Sequence, residues 1–307
     1  MSHHVAQDER EELRRLVRAA KAQGWSQALF EHTKREAAEG WPSPEDERAA
    51  DWRYLVRWAP DGVALVLGCG RGVVPVALSE CFGTVYAVDG VWERAAFLSI
   101  RALQQGIKNL QPVMVERGKG LPFSGECFDF VAVGAAGAEL TQELGAEELV
   151  WVVHRLLRAG GTAQFSLGNR WGFDHLLGRG GGGSGPRRES LASYLRILGR
   201  VGFSDVRVYA PLPRHRGVPM FYVPLDGSTP MRFFLRNLSV LFDAVSPEVK
   251  RRHAVEYGVA KLGVRLTLLA RGERIAKLFL PGFCIFAEKA GGVSDRTHAA
   301  SADPATA

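Results

Sequence analysis

The residues best suited to chemistry stand close together in the first half of the chain. Leu65-Val-Leu-Gly-Cys-Gly-Arg-Gly72 places glycines at 68, 70 and 72 behind a short apolar run. Glycine has no Cβ, so backbone can pass close to a ligand there and take left-handed angles. A helix opening after the loop would offer free N–H groups and the positive end of its dipole. Asp89 follows seventeen residues after Gly72, at the end of a second apolar run. An acid at the tip of a second strand is placed to accept hydrogen bonds from both hydroxyls of a ribose. Together the two features describe a nucleoside site. The plainer reading is a tight strand-to-helix turn with Asp89 as a helix N-cap. Glu139, His175 and His215 are side chains able to take a proton from an acceptor. Arg214, Arg216, Arg232 and Arg236 could bind a phosphate or carboxylate.

The elements around these residues follow from their periodicity. Leu13, Leu16, Val17 and Ala20 repeat at helical spacing, and a second helix is expected over Gln27–Ala38. Pro42-Ser-Pro44 breaks the chain, a third helix is expected over Glu45–Trp58, and Asp61-Gly62 reads as a turn. Strands are expected at Val63–Leu67, Thr84–Asp89, Pro112–Glu116, Phe128–Val133 and Thr162–Leu167. Between them lie helices over Gly72–Cys81, Val91–Gln105 and Glu147–Arg158, the last stopped by Gly160-Gly161. Such alternation describes a parallel sheet with helices on both faces. Gly178–Gly185, rich in glycine, reads as a mobile loop or a spacer. Ser190–Val201 is a helix capped by Gly202, and Asp205–Tyr209 a strand. Pro211-Leu-Pro213 and Pro219–Asp226 read as extended, and helices are expected over Met231–Val245, Pro247–Tyr257 and Val259–Leu269. A last strand covers Phe283–Ala287.

Composition narrows the classes. With 307 residues, 46% of them hydrophobic, the chain can bury a large core and is neither fibrous nor wholly disordered. No apolar run approaches a membrane span, and the acidic start has no secretory apolar segment. Cysteines at 69, 81, 127 and 284 form no CxxC pair, so neither a disulfide framework nor a metal site is expected, and a cytoplasmic location follows. Between 170 and 290 there are 20 Lys and Arg against 9 Asp and Glu, whereas residues 1–169 carry 18 against 22. The basic second half suits an anionic partner or a solvated arginine-rich surface. Its arginines form no known nucleic-acid reader and no stacking platform accompanies them, which argues against nucleic acid. Peripheral contact with a membrane stays open through the stripe Met231, Phe234, Leu235, Leu238, Leu241 and Phe242, although such stripes are more often core. There is no Ser-His-Asp order, no deaminase-type HxE…CxxC and no phosphate loop ending in Gly-Lys-Ser or Gly-Lys-Thr.

A dinucleotide fingerprint needs its third glycine at 73, but that residue is Val73. The G-x-G-x-G spacing instead resembles motif I of the class I S-adenosylmethionine-dependent methyltransferases. Leu121-Pro-Phe123 with Phe128-Asp129, Arg155-Leu-Leu-Arg-Ala-Gly-Gly161 and Leu198–Val206 resemble further segments of that family, in order and in register. The likeness covers about 60–210 and the strand near 283–289, and is greatest to the type 11 group. It implies an α/β fold: a Rossmann-like, doubly wound, mostly parallel sheet of seven strands. It implies an N-terminal helical cap (1–59), a cofactor-binding core (60–210), a helical substrate lid inserted at 211–282, the last core strand at 283–290 and a disordered tail at 291–307.

By the same resemblance the cofactor is S-adenosyl-L-methionine, lined by Leu67, Gly68, Cys69, Gly70 and Gly72. Asp89 would hold the ribose, Gly90 and Val91 would flank it, and Glu116 and Leu121 would lie by the adenine. Glu139, His175 and His215 are the candidate bases for an oxygen acceptor, itself a small, phosphorylated, lipid-linked or sugar-linked molecule. The absence of N/D-P-P-Y/F after the fourth strand argues against methylation of planar amines. Where the family carries acids, this chain has Val66 and Arg117. Those departures leave a catalytically silent cofactor-binding or scaffold protein as one alternative. An NAD(P)-dependent oxidoreductase is the other.

Overall fold

The computed structural model describes residues 2–37, 47–116, 119–134, 144–172, 189–212, 219, 221–227, 229–243 and 277–291. Two helices open the chain, α1 (Ser2–Gln23) and α2 (Trp25–Ala37). A 3-10 helix, Glu47–Leu55, stands where an α-helix is expected over Glu45–Trp58. A three-residue period stacks Ala49, Trp52 and Leu55 on one side, and all three pack into the core.

An eight-stranded sheet carries the molecule, in the order β3-β2-β1-β4-β5-β8-β6-β7. Its strands are β1 (Ala59–Leu67), β2 (Phe82–Asp89), β3 (Leu110–Met114), β4 (Phe128–Val133), β5 (Leu157–Gly168), β6 (Phe203–Leu212), β7 (Phe221–Pro224) and β8 (Gly282–Lys289). Neighbours from β3 to β5 pair in parallel; β8 runs antiparallel to both β5 and β6, and β7 antiparallel to β6. The fold class is therefore the expected one, a Rossmann-like doubly wound sheet. The eighth strand is a correction. It is β7, inside the Pro219–Asp226 stretch expected to be extended, and its place at the sheet edge tolerates Pro224, which has no N–H to give a neighbour.

The helices are α3 (Val73–Ser79), α4 (Trp92–Gln104), α5 (Ala146–Leu156), α6 (Leu191–Val201) and α7 (Thr229–Asp243). On one face α5, α6 and α7 cover an apolar layer that includes Leu65, Val131, Phe165 and Ile285. On the other, α3, α4 and the 3-10 helix cover Val66, Val85, Ala87 and Phe130. The cap helices α1 and α2 sit on α4 through Leu13, Leu16, Val17, Ala28, Leu29 and Phe97.

Two further expectations need correction. Asp61-Gly62 is not a turn: β1 runs through it, and the irregularity is absorbed as a register shift between Ala59 and Val63. Asp129 steadies that shift by accepting the Val63 N–H at 2.7 Å. Gly160-Gly161 does not stop α5, which ends at Leu156 and passes directly into β5. On α7 Met231 and Leu235 are buried, Phe234 packs against the same core layer and Phe233 is exposed. The glycine-rich 178–185 segment, Pro42-Ser-Pro44, the expected helices Pro247–Tyr257 and Val259–Leu269, and the tail from 292 lie outside the described residues.

Candidate functional site

The strand order reverses between β1 and β4, and in open α/β sheets ligands bind outside the strand tips beside such a reversal. The glycine loop begins at this point. Gly68 (φ 84°), Gly70 (φ 52°) and Gly72 (φ 93°) all adopt left-handed backbone angles that favour glycine. The Gly68 N–H donates to the Val88 carbonyl at 2.8 Å, binding the tip of β1 to that of β2. Gly72 is needed for packing as well: a Cβ there would stand 2.8 Å from Leu98 Cδ1 on α4. The helix that follows, α3, has only seven residues, capped by Gly72 without a side-chain bond. Its dipole makes no anion site.

Asp89 closes the arch. It is buried at 2% exposure, on the sheet face of Val85 and Ala87. Its Oδ2 accepts the Cys69 N–H at 3.0 Å and the Gly70 N–H at 3.3 Å, with the Cys69 thiol at 3.4 Å. Its Oδ1 accepts the Val91 N–H at 2.9 Å, just ahead of α4. Arg94 Nη1 lies 3.9 Å from that oxygen. One carboxylate thus organises the loop after β1 and the start of α4. Burial pushes its acid above the ordinary value, opposed by the Arg94 charge and by the N–H and thiol donors. Burial, then the neighbouring carboxylate, pushes the Cys69 thiol well up, so it is no nucleophile.

The other expected residues fall in four groups. Gly90 and Val91 line a shallow depression of about 320 Å³ with Trp92, Glu93, Met114 and two residues of α1, Arg10 and Arg14. It lies beside the tips of β2 and β3 and does not include the glycine loop. Leu67 is wholly buried, and Leu121 packs against the same core layer. Val66, where the resembled family carries an acid, is buried against α3 and α4. The loop donors that an acid might hold belong here to Asp89. Glu116 is exposed and paired with Lys119 at 2.6 Å. Glu139, His175 and His215, with Arg117, Arg214 and Arg216, lie outside the described residues.

Sequence reasoning missed the arginines of α4 and α1. Arg94 and Arg101 are buried charges, seven residues apart and hence on one helix face. Arg101 Nη1 donates to the Arg71 carbonyl inside the glycine loop at 3.2 Å. Among the described residues no group of His, Cys, Asp or Glu could hold a metal ion, and no helix is long and apolar enough to cross a membrane.

No protein-family model matches the chain, and neither does any curated protein. Solved structures do. Phosphoethanolamine N-methyltransferase 2 of Haemonchus contortus, with S-adenosyl-L-methionine, is 15% identical with a TM-score of 0.48, over 82% of this chain and 54% of that one. The chain thus spans about half the length of that enzyme. Geranyl diphosphate methyltransferase with the same cofactor is 15% identical, TM-score 0.44, over 87% of this chain and 90% of that one. The cyclase SpnF is 16% identical, TM-score 0.43, over 80% and 82%. At such identities and scores the likeness does not extend to a shared substrate or reaction.

Proposed function

We propose that the chain binds S-adenosyl-L-methionine across the tips of β1 and β2 and transfers its methyl group to a small acceptor, with oxygen favoured as the acceptor atom. The observation that carries the reading is the buried Asp89 at the tip of β2, bonded across to a loop of three left-handed glycines. The fit of the cofactor rests on two features. Asp89 Oδ1 accepts one backbone N–H and keeps lone-pair capacity for a sugar hydroxyl. Gly90, Val91 and Met114 border an open depression whose volume lies at the small end of ligand sites, suited to the adenosine end. Gly68, Cys69 and Gly70 would flank the methionine end, and Leu121 and Glu116 would lie toward the base.

The bound cofactor would supply an electrophilic methyl group, leaving the chain to orient the acceptor, exclude water and accept a proton. Glu139, His175 and His215 are the proposed bases. The basic 170–290 region supports a phosphorylated, lipid-linked or sugar-linked acceptor. A second reading, binding without turnover, is favoured by the crowding of Asp89: both of its oxygens are engaged within the protein.

Calorimetric titration with S-adenosylmethionine, S-adenosylhomocysteine, NAD and NADP separates the cofactor classes. Micromolar binding of the sulfur nucleosides, lost in Asp89→Ala, is expected; preference for NAD or NADP would overturn the reading. Labelled methyl transferred to an extract then separates enzyme from silent binder, and single alanine variants at 139, 175 and 215 identify the base.

A further inference from the structure

We propose that α4 is a coupling element, in which Arg94 and Arg101 tie the docking of the N-terminal helices to the shape of the glycine loop and of Asp89. The inference rests on the nucleoside reading above and adds to it a link between two parts of the chain. Arg94 is then a positioning residue for Asp89, and the cap is a working part of the site.

The geometry is the same at both arginines. Arg94 is one-tenth exposed; its Nη2 donates to Glu9 Oε1 of α1 at 2.9 Å, while its Nη1 faces Asp89. Arg101 is 2% exposed. Its guanidinium lies 4.3 Å over the ring of Trp25, the first residue of α2, and 4.0 Å from Glu47 of the 3-10 helix. The same group donates to the Arg71 carbonyl. Each arginine thus holds a cap element with one hand and the site with the other. Three more bonds join the same helices. Arg14 donates to the buried Glu93 at 3.0 Å, Gln104 donates to the Ala20 carbonyl at 3.1 Å, and the Trp25 N–H donates to Gln104 at 2.7 Å.

The physical consequence is a shared equilibrium. A buried guanidinium is stable only with its partners in place. If α1 leaves, Arg94 gains access to water and its grip on Asp89 weakens; the carboxylate is then free to swing, and the Cys69 and Gly70 N–H groups lose a fixed acceptor. A ligand that needs that arrangement therefore favours the docked cap, and the docked cap favours the ligand by the same factor.

Two measurements test the link, and they fail separately from the functional reading. The first needs no ligand: hydrogen exchange at the Cys69 and Gly70 amides, in the full-length wild type and in Glu9→Gln and Trp25→Ala. Both variants change residues outside the site. Faster exchange in the loop is expected, by about two- to tenfold; unchanged exchange would overturn the coupling whatever the protein binds. The second is calorimetric titration with S-adenosylhomocysteine. Glu9→Gln should weaken binding about two- to fivefold, the range of a partly exposed ion pair, and Arg94→Met about tenfold or more. The double variant should be no worse than Arg94→Met, because the two act in series. If the wild type binds the nucleoside and Glu9→Gln and Arg94→Met bind it equally well, the coupling is wrong although the site is right. If the wild type binds none, the cofactor reading fails and the exchange result alone decides the coupling. Should Arg94→Met not fold, Glu9→Gln still carries the test.

Discussion

Asp89 shows how one side chain is asked to do two things. Four donors hold its charge while burial opposes that charge, and the acid moves upward, so burial outweighs its partners. The sign follows from linkage. A carboxyl raised in the folded protein binds protons that the unfolded chain has released. Its contribution to stability is complete at or below its ordinary value of 3.8 and is lost as pH rises through the folded value. Unfolding free energies of wild type and Asp89→Asn, compared from about pH 3.5 to 6.5, should therefore draw together or cross, with the wild type losing ground as pH rises. A wild-type advantage that grows with pH would mean that Arg94 and the N–H donors win. Gly72 gives a second test at this scale. Its left-handed angle strains any residue with a Cβ, and an added methyl group would have to displace Leu98 Cδ1, 2.8 Å away. Gly72→Ala should cost about 2–4 kcal/mol, from overpacking and backbone strain together, read as a lower urea midpoint with an unchanged slope.

At the scale of elements, the joints between strands carry more than the strands. Asn169 follows β5 and is 1% exposed. Its amide nitrogen donates to the carbonyls of Leu278 and Leu280, and its oxygen accepts the Trp171 N–H. It thereby holds the chain entering β8 against the end of β5. Asn169→Ala would leave three backbone groups without it, a loss of about 2–4 kcal/mol; a change under about 0.5 kcal/mol in chemical unfolding would refute the clamp. The α6 helix offers a smaller test. Ser190 Oγ accepts the Ser193 N–H at 3.2 Å as the N-cap, so Ser190→Ala should cost about 1 kcal/mol.

For the whole molecule, a ligand that binds the folded chain alone stabilises it by mass action. S-adenosylhomocysteine at a hundred times its Kd should add about 2.7 kcal/mol, seen as a rise in melting temperature that NAD does not reproduce and that Asp89→Ala abolishes. Much of this whole was legible beforehand. The alternation of short apolar runs with amphipathic segments prescribes a doubly wound sheet, because burial on both faces of a parallel sheet leaves no other pattern. Three glycines and an acid seventeen residues on mark the tips of its first two strands, since glycine takes those backbone angles at the least cost. Asp61-Gly62 misled, because a bulge and a turn look alike when the partner strand is unknown. The 3-10 helix was hidden for a related reason: its three-residue stacking is decided by what Trp52 meets. The roles of Arg94 and Arg101 could not be read at all. An arginine in an amphipathic helix is normally solvated, and only the packing of α1 and α2 over α4 buries these two against Asp89 and the glycine loop. Local spacing, then, determined which backbone could form and where a nucleoside could lie. Tertiary contact, joining residues 9, 25 and 47 to 94 and 101, decided which charges are buried and so what holds the loop in shape.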